Sequence, residues 1–237
     1  MIKLDKEELL RYNRQMMLPE IGLKGQQKLK AAKVLVVGAG GLGCPILQYL
    51  NAAGIGTLGI VDFDKVEVHN LHRQILYTHE DIGKSKAVAA AEKLNKQNIH
   101  TEIIVLDCML NEENVSGIIS QFDIVVDGSD NFLTRYLVND TCVMLDKPLV
   151  YGSVLKFEGQ LAVFNYKGSK NLRDIYPTPP NPEDVPNCDE MGVLGVVPGI
   201  IGSYMALNTI AVILDTIEVN RLQVIDMMRS KQTMFSF

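Results

Sequence analysis

Cysteine and positive charge are both scarce in this sequence, and each shortage excludes a class of site. The four cysteines, Cys44, Cys108, Cys142 and Cys188, form no C-x-x-C pair. Structural zinc sites are usually assembled from ligands at such short spacing, so the spacing argues against one. Because 23 Lys and Arg face 28 Asp and Glu, the chain is also a poor candidate for sequence-independent nucleic-acid binding.

The first residues, MIKLDKEELLRYNRQ, lack the apolar core of a signal peptide, so we expect a cytoplasmic protein with reduced thiols. One stretch runs against this expectation, because residues 191–214 carry no charge over 24 positions, a length that spans a bilayer. Gly192, Gly195, Pro198 and Gly202 interrupt its first half. We therefore predict a loop that leads into a helix buried in the protein core, and no membrane partner.

Apolar segments alternate with helix patterns through the first two thirds of the chain. VLVVG, TLGIVDFD, TEIIVLD, DIVVDGSD and PLVYGSV read as strands covered on both faces, as in a parallel sheet. The helix patterns cover about residues 26–32, 41–53, 85–98, 111–120 and 131–145, and an Asp5/Glu8 capping box starts an earlier helix. EGQLAVFNY and RLQVIDMM alternate apolar with polar residues, as antiparallel strands do. The pattern predicts an α/β fold: a Rossmann-like, doubly wound, mostly parallel sheet extended by antiparallel strands, with N-terminal helices.

The stretch VLVVGAGGLG is the first candidate for a binding site. Gly38, Gly40 and Gly43 have the G-x-G-x-x-G spacing of a dinucleotide-binding loop, and Gly41 adds a fourth glycine. Between a strand and a helix, such a loop lets backbone N–H groups converge on phosphate at the helix N-terminus. Asp62 ends the next strand, where a ribose-binding carboxylate belongs. The sequence therefore predicts a nucleotide site.

The segments that follow suit a triphosphate with Mg²⁺ better than NAD. Lys86 falls in the first turn of a helix, where a cation opposes the helix dipole and needs an anion nearby. Asp130 and Asn131 fall at the carboxyl end of a strand, the ligand-facing edge of such a sheet, and Mg²⁺ takes one or two carboxylates plus phosphate oxygens. The segment DFDKVEVHNLHRQ supplies further candidate ligands for the nucleotide: Asp64, Asn70, Arg73 and Gln74.

Each candidate also has a plain structural interpretation. Arg73 and Lys86, taken singly, fit solvated surface charges, and Asp130 with Asn131 fits a cap on the following helix. An NAD(P)-binding oxidoreductase and a non-catalytic binding module remain alternatives from other functional classes. The joint placement of these residues after successive strands favours a triphosphate site.

The motifs RYNRQMMLPEIGLKGQQKL, VLVVGAGGLG, VDFDKVEVHNLHRQ, GKSKA, VDGSDNFLTRYLVND and EGQLAVF together resemble the ThiF/MoeB/HesA family of ubiquitin-activating-like adenylating enzymes. The likeness extends from about residue 9 to residue 226. It implies that ATP with Mg²⁺ is used to adenylate the C-terminal glycine of a small ubiquitin-like sulfur-carrier protein. It also implies one domain over 1–237, with a nucleotide-binding part (about 30–153) and a carrier-binding and crossover-loop part (about 154–237).

The resemblance implies a role for most of the candidate residues. Gly41 and its neighbours would contact phosphate, Asp62 the ribose, and Asp130 the Mg²⁺ ion. The triphosphate would be held by three side chains: Asn70, Arg73 and Lys86. Arg14 resembles the arginine that reaches the ATP of a neighbouring subunit, which implies a homodimer.

The C-x-x-C pairs of many family members are missing from this chain. Many members carry two C-x-x-C pairs that bind zinc. Here residues 171–174 (NLRD) stand in place of the first pair and the second is missing before Phe237, so we expect no zinc.

Cys188 lies in the Pro-rich segment YPTPPNPEDVPNCDE, where sulfur-transferring relatives place a cysteine that links to the carrier. Asp189 and Glu190 disfavour its thiolate, so a catalytic role for Cys188 stays open.

The pathway and the partners follow from the resemblance alone. The carrier would be ThiS- or MoaD-like, for thiamine or molybdopterin synthesis, and Asn187-Cys188 before GVLG favours thiamine. A cysteine desulfurase is a possible sulfur donor. The Pro-rich residues 176–187 and the loop at 193–198 are predicted to border the groove for the carrier's tail. An enzyme that adenylates a tRNA-attached carboxylate is an alternative within the superfamily, against which the lack of a basic face argues.

Overall fold

The computed structural model describes residues 2–180 and 192–237. Cys188 and most of the Pro-rich segment therefore lie outside the described residues. Eight strands are present in the described chain: β1 (Lys33–Val37), β2 (Thr57–Val61), β3 (Glu102–Leu106), β4 (Ile124–Asp127), β5 (Leu149–Leu155), β6 (Glu158–Phe164), β7 (Arg221–Asp226) and β8 (Lys231–Ser236).

These strands form one sheet in the order β3-β2-β1-β4-β5-β6-β7-β8. The pairs among β1 to β5 are parallel, and β6, β7 and β8 extend the sheet by antiparallel pairing. The predicted doubly wound, mostly parallel sheet with an antiparallel extension is confirmed. The edge strand β8 was not predicted.

The described helices are α1 (Lys6–Arg11), α2 (Asn13–Met16), α3 (Gly22–Ala31), α4 (Gly43–Ala53), α5 (Lys86–Gln97), α6 (Val115–Ile119), α7 (Phe132–Met144), α8 (Leu172–Ile175) and α9 (Val196–Leu214). The predicted capping box is present, because Asp5 accepts from the Glu8 amide and Glu8 accepts from the Asp5 amide, both at 2.8 Å. Ser85 and Asn131 cap α5 and α7, close to the predicted helix starts.

Two helices differ from the prediction in length. Helix α3 begins at Gly22 rather than near residue 26, and α6 covers only Val115–Ile119 rather than 111–120. In the second case Asn111 and Asn114 hydrogen-bond the backbone of their own turn. Asparagine side chains compete with helical hydrogen bonds in this way, so the helix starts after them.

The central strands β1, β2 and β4 are mostly apolar because both faces of the sheet are buried there. In β1, Val34 and Val36 face a core shared with α4, α5 and α9. Leu35 and Val37 face a second core shared with α6 and α7. Alternate side chains of a strand point to opposite faces, so a strand between two helical layers has no polar face to offer.

Helix α9 accounts for most of the charge-free stretch. It is long and apolar enough to cross a membrane, and 44% of its most apolar window is buried. The buried residues recur along one face, which packs against α4, β5 and β6. The prediction of a loop leading into a core helix agrees with this packing.

Gly43 offers a direct test of how the glycine loop is packed. A Cβ atom at Gly43 would lie 2.0 Å from the Gly38 carbonyl oxygen, whereas one at Gly117 in α6 would meet nothing within 4 Å. We expect Gly43→Ala to lower the free energy of unfolding by at least about 2 kcal/mol because the two backbones must separate. Gly117→Ala should raise it by about 0.5–1 kcal/mol, since alanine is the better helix former. Urea unfolding measures both, and equal stabilities for the two variants would contradict this packing.

Candidate active site

A large cleft opens at the carboxyl edge of the sheet, where the strand order reverses. The chain leaves β1 for α4 on one face and leaves β4 for α7 on the other face, and ligands of such sheets bind at this switch point. The cleft has a volume of about 1620 Å³. Most of the predicted nucleotide ligands line it: Gly38, Gly40, Gly41, Asp62, Asp64, Asn70, Arg73, Gln74, Lys86, Asp130 and Asn131.

Two glycines of the loop, Gly38 and Gly43, lie in close contact with other backbone atoms, whereas Gly40 has open space beside it. Gly38 has a φ of +86°, which favours glycine, and a Cβ atom there would lie 2.9 Å from the Gly128 carbonyl oxygen. Gly43 does not line the cleft but allows α4 to start directly against Gly38. A Cβ atom at Gly40 would have only the Gln74 Nε2 atom, at 3.6 Å, as a neighbour. The backbone at Gly40 is therefore open to the approach of a phosphate group.

Asp62 joins the glycine loop to the end of β2. Its carboxylate accepts hydrogen bonds from the Ala39 amide at 2.7 Å and from the Asp64 amide at 2.8 Å. Burial raises the pKa of Asp62, and these two amides offset part of that effect. The predicted ribose ligand thus already fixes two backbone segments of the cleft.

The position of Lys86 requires an anionic neighbour. That neighbour is the side chain of Asp64, from the same protein. The Lys86 Nζ atom lies 2.9 Å from Asp64 Oδ2. Lys86 is buried, with 6% of its surface exposed, whereas the Asp64 side chain is half exposed. Sequence reasoning placed both residues at a nucleotide site but did not foresee that they pair. The ion pair holds the ammonium group at the cleft.

Arg73 borders the cleft, but its guanidinium group contacts the preceding residues of its own loop, His69 and His72. Its Nη1 atom donates to the His69 carbonyl oxygen at 2.9 Å and lies 3.1 Å from His72 Nε2. The stem of the side chain lies against the glycine loop, because a Cβ atom at Gly41 would be 3.7 Å from Arg73 Cγ. A rotation of the side chain from this position is needed for the guanidinium group to meet a phosphate at the loop.

Asn70 and Gln74 are both buried at the floor of this loop, with 4% and 3% exposure. The Asn70 side chain accepts from the Glu67 amide at 3.0 Å and so caps the short 3₁₀ turn Val68–Asn70. The Gln74 Oε1 atom has no hydrogen-bond partner within the described ranges. Buried acceptors are usually paired, so this atom suits a ligand donor such as a ribose hydroxyl or a base amino group.

Asp130 and Asn131 follow β4 and have different roles in the described structure. Asn131 accepts from the Thr134 amide at 2.9 Å and caps α7, so its plain structural interpretation is confirmed. Asp130 is exposed and lines the cleft. Within residues 2–180 and 192–237 its carboxylate accepts no hydrogen bond from the protein, and it is available to a cation.

Besides Gly43, one predicted site residue within the described ranges, Arg14, does not line the cleft of its own chain. Arg14 is exposed on the short helix α2, outside the residues that border the cleft. Cys188 lies outside the described residues. The thiol of Cys44, near the start of α4, is fully buried, and burial raises its pKa to about 12. Cys44 is therefore an unreactive core residue.

Sequence reasoning missed a group of buried polar residues close to Asp130, of which Ser129, Arg135 and Tyr151 also border the cleft. Asp127 is fully buried at the end of β4 and accepts from the amide and the hydroxyl of Ser129, at 2.9 and 2.6 Å. Arg135, 7% exposed, donates to the Ser129 carbonyl at 2.8 Å and to the Tyr151 hydroxyl at 3.3 Å. A signal was present, because Arg135 is a cation near the N-terminus of a helix, the same argument that singled out Lys86.

The residues at the place of the first cysteine pair form a different kind of link. Asn171 and Asp174 make a capping box, and Arg173 donates to both carboxylate oxygens of Asp140 at 2.7 Å. Its guanidinium carbon also lies 4.8 Å from the ring centre of Tyr136. This ion pair joins α8 to α7 beside the start of the Pro-rich segment.

One cluster in the described residues brings three potential metal ligands together, namely Asp5, Glu8 and His100. Asp5 and Glu8 form the capping box of α1, and Glu8 also accepts from Lys30. The two carboxylates therefore already have partners in the fold.

The family of this chain follows from comparison with known proteins. The sequence profile of the ThiF family matches residues 12–237. The chain belongs to the ThiF family. This confirms the family resemblance that was stated from the motifs.

Curated relatives are about half identical to this chain over the residues that align with it. The "Adenylyltransferase and sulfurtransferase MOCS3" of Anopheles gambiae is 51% identical over 212 residues, which cover 90% of this chain and 48% of that protein. The "Sulfur carrier protein adenylyltransferase" of Thermus thermophilus is 51% identical over 214 residues, covering 88% of this chain and 79% of that protein. The chain thus spans about half the length of the MOCS3 relatives.

Solved structures of more distant proteins share the fold. PaaA superposes with a TM-score of 0.84 at 18% identity, over 100% of this chain and 76% of that protein. MccB of E. coli, solved with ATP, gives a TM-score of 0.81 at 22% identity, over 95% of this chain and 71% of that protein. These likenesses support the Rossmann-like architecture.

The role of Lys86 is testable by nucleotide binding. We expect Lys86→Met to weaken ATP binding by about 10- to 100-fold, because a charge-assisted hydrogen bond to phosphate is lost. Asp64 is half exposed, so its carboxylate returns to solvent and the fold is retained. Lys96→Met, on the exposed last turn of the same helix, is the matched control and should bind like the unchanged protein. Calorimetric titration measures both, and equal affinities for the two variants would contradict this role.

Proposed function

We propose that this protein is an ATP-dependent adenylyltransferase that acts on the C-terminal glycine of a small ubiquitin-like sulfur-carrier protein. The observation that carries the proposal is the composition of the cleft. One space of about 1620 Å³ is bordered by an open glycine loop, the ammonium group of Lys86 and the carboxylate of Asp130, which has no partner among the described residues. The family membership and the relatives named as adenylyltransferases support the same reaction.

In this reaction the carrier's carboxylate oxygen attacks the α-phosphorus of ATP. A new bond forms between that oxygen and phosphorus, the bond from the α-phosphorus to the bridging oxygen of the β-phosphate breaks, and pyrophosphate leaves. The product is a mixed anhydride of the carrier and AMP. No general base is required, because a carboxylate is already ionised at neutral pH.

The task of the protein is therefore to align two anions and offset their repulsion. The Gly40 backbone is open to the phosphates, and Lys86 and Arg73 supply positive charge on two sides of the loop. Asp130, exposed at the cleft and without a protein donor in the described chain, fits a Mg²⁺ ion. When bound with ATP, Mg²⁺ would neutralise phosphate charge. Gln74 and Asp62 supply acceptors for hydroxyl or amino donors of the nucleoside.

The carrier's tail requires a groove that leads to the α-phosphate. Tyr176 to Pro180, Val193 and Pro198 all border the cleft. Tyr136 holds the first of these segments, because its hydroxyl donates to the carbonyls of Tyr176 and Thr178 at 2.8 and 2.9 Å. These described parts of the predicted groove agree with an extended peptide as second substrate.

A homodimer completes the proposed site. A second cavity of about 680 Å³ is lined by exposed apolar residues of α4, α9 and their neighbours, including Tyr49, Ile75 and Leu207. His72 and Arg73 border both this cavity and the cleft. A second copy seated on the apolar cavity would lie beside the cleft, and we propose that it contributes Arg14 to the triphosphate.

We further propose a place in sulfur transfer for this reaction. In the next step a sulfur nucleophile would form a bond to the carbonyl carbon of the mixed anhydride, the bond from that carbon to the phosphate oxygen would break, and AMP would leave. A cysteine desulfurase is the proposed sulfur donor, and Cys188 is a candidate for the thiol that links to the carrier. The product would serve thiamine or molybdopterin synthesis, and Asn187-Cys188 before GVLG favours thiamine. A cytoplasmic location suits this role, since the described cysteines Cys44, Cys108 and Cys142 are free thiols.

The activity is tested by carrier-dependent exchange of labelled pyrophosphate into ATP with a panel of β-grasp proteins that end in Gly-Gly. We expect exchange with one of them, and none with a carrier that lacks its last glycine. Arg73→Ala should lower the rate by about 100- to 1000-fold, as for other groups that stabilise developing charge. Arg11→Ala is the matched control, because Arg11 also donates to a backbone carbonyl, at 2.7 Å, but outside the cleft. No exchange with any carrier, or normal exchange in Arg73→Ala, would overturn the assignment.

The proposed contribution of Arg14 is tested by mixing two inactive variants, Arg14→Ala and Asp130→Asn. In a mixed dimer, one site combines an intact Asp130 with an intact Arg14 from the partner. Equal mixing should therefore restore about a quarter of the wild-type sites, as two-fold symmetry requires. Exchange assays before and after mixing measure this. No recovery from stable mixed dimers would exclude a shared site.

A further inference from the structure

Arg135 is a buried cation that is not among the proposed nucleotide ligands. It stands in the second turn of α7, where a buried cation is opposed both by desolvation and by the helix dipole. Such a side chain is retained in a fold when its partners compensate for this cost. The partners of Arg135 are therefore informative about what it does.

Those partners converge on one residue, Ser129. Arg135 Nη2 donates to the Ser129 carbonyl oxygen at 2.8 Å, which belongs to the peptide that joins Ser129 to Asp130. Asp127 Oδ1 accepts from the Ser129 amide at 2.9 Å and from its hydroxyl at 2.6 Å. Every polar group of Ser129 is thus bound by one of two buried, oppositely charged side chains. The next residue along the chain is Asp130.

Arg135 is itself held in one orientation. Its guanidinium carbon lies 5.0 Å from the ring centre of Tyr151, and Nη1 donates to the hydroxyl of the same tyrosine at 3.3 Å. Arg135 Nε lies 3.6 Å from Asp127 Oδ2, an ion pair without a hydrogen bond. The planar donor fork is needed for this set of contacts, which a lysine cannot reproduce.

We propose that Arg135 is a positioning residue for Asp130: it holds the carbonyl of the peptide that joins Ser129 to Asp130 while Asp127 holds the amide and hydroxyl of Ser129, and together they fix where the backbone of Asp130 presents its carboxylate to the cleft. Asp130 has no protein partner in the described chain, so the position of its backbone is what the protein contributes to the placement of its carboxylate. This inference rests on the proposed role of Asp130 as the Mg²⁺ ligand. Groups that orient a metal ligand through hydrogen bonds typically change metal affinity by about 10- to 100-fold when they are removed.

The test uses a variant that leaves no unpaired buried charge. Arg135→Met alone would strand the buried Asp127 carboxylate and endanger folding. The double variant Arg135→Met/Asp127→Asn removes both charges and keeps an amide oxygen for the Ser129 amide. Glu8→Gln/Lys30→Met is the matched control, because it neutralises a buried carboxylate and its cation at α1 and α3, outside the cleft.

The first measurement is the affinity of Mn²⁺ for the complex of enzyme and ATP, read by electron paramagnetic resonance. We expect the double variant to bind Mn²⁺ about 10- to 100-fold more weakly, with an unchanged affinity for ATP without metal. Arg135→Lys should fall between the double variant and the wild type. Weakened binding of metal-free ATP would overturn the proposal, because Arg135 would then be a nucleotide contact.

The second measurement needs neither nucleotide nor metal. Hydrogen–deuterium exchange of the peptide that contains residues 128–132 should be faster in the cooperatively folded double variant and unchanged in the control. Wild-type exchange and wild-type Mn²⁺ affinity in the double variant would overturn the positioning role and leave the proposed function intact. A wild-type protein that binds no Mn²⁺ with ATP would instead refute the proposed metal site, and the exchange data would then decide the positioning role alone.

Discussion

The backbones of Gly38, Gly43 and Gly128 meet at the carboxyl ends of β1 and β4, with no space for a side chain between them. This contact brings the start of α4 against β1 and draws the loop after β4 to the same point. The amide groups of the glycine loop and the carboxylate of Asp130 come to border one cleft as a result. A wider separation of these backbones would divide the cleft into unrelated surface loops.

Two buried cations lie near that contact. The free-energy cost of burying each one is offset in part by a nearby carboxylate. Lys86 and Arg135 are both buried cations near the N-termini of helices, where the helix dipole opposes them. Each has a carboxylate from the end of a neighbouring strand segment, Asp64 at 2.9 Å and Asp127 at 3.6 Å. The two pairs differ in solvent contact, because Asp64 is half exposed and Asp127 is fully buried. The first cation can therefore turn to a ligand, whereas the second is fixed and serves the structure of the loop.

The sheet and the glycine loop were predictable because their signals are local. Five apolar segments gave the parallel strands, and the spacing of Gly38, Gly40 and Gly43 placed the phosphate loop. The order of the residues along the chain also placed Lys86 and Asp130 at the ligand-facing edge. These features depend on short-range pattern and on general rules of α/β topology.

Other features depend on contacts between residues far apart in sequence, which no local pattern encodes. The pairing of Lys86 with Asp64 spans 22 positions, and Arg135 meets Tyr151 from the next strand. The edge strand β8 has mostly exposed residues, so it shows no apolar run to detect. Arg73 was expected at the triphosphate, but in the described structure its guanidinium group donates to the His69 carbonyl, a side-chain rotamer that no local sequence pattern encodes.

A crystal structure with a non-hydrolysable ATP analogue and Mg²⁺ tests the central claim most directly. The account predicts that the triphosphate lies along the glycine loop, that the Arg73 guanidinium leaves the His69 carbonyl to meet a phosphate oxygen, and that Lys86 does the same from Asp64. The metal should be coordinated by Asp130. Electron density for the analogue at the cleft with Arg73 still on the His69 carbonyl, Lys86 still on Asp64 and no metal at Asp130 would contradict the account.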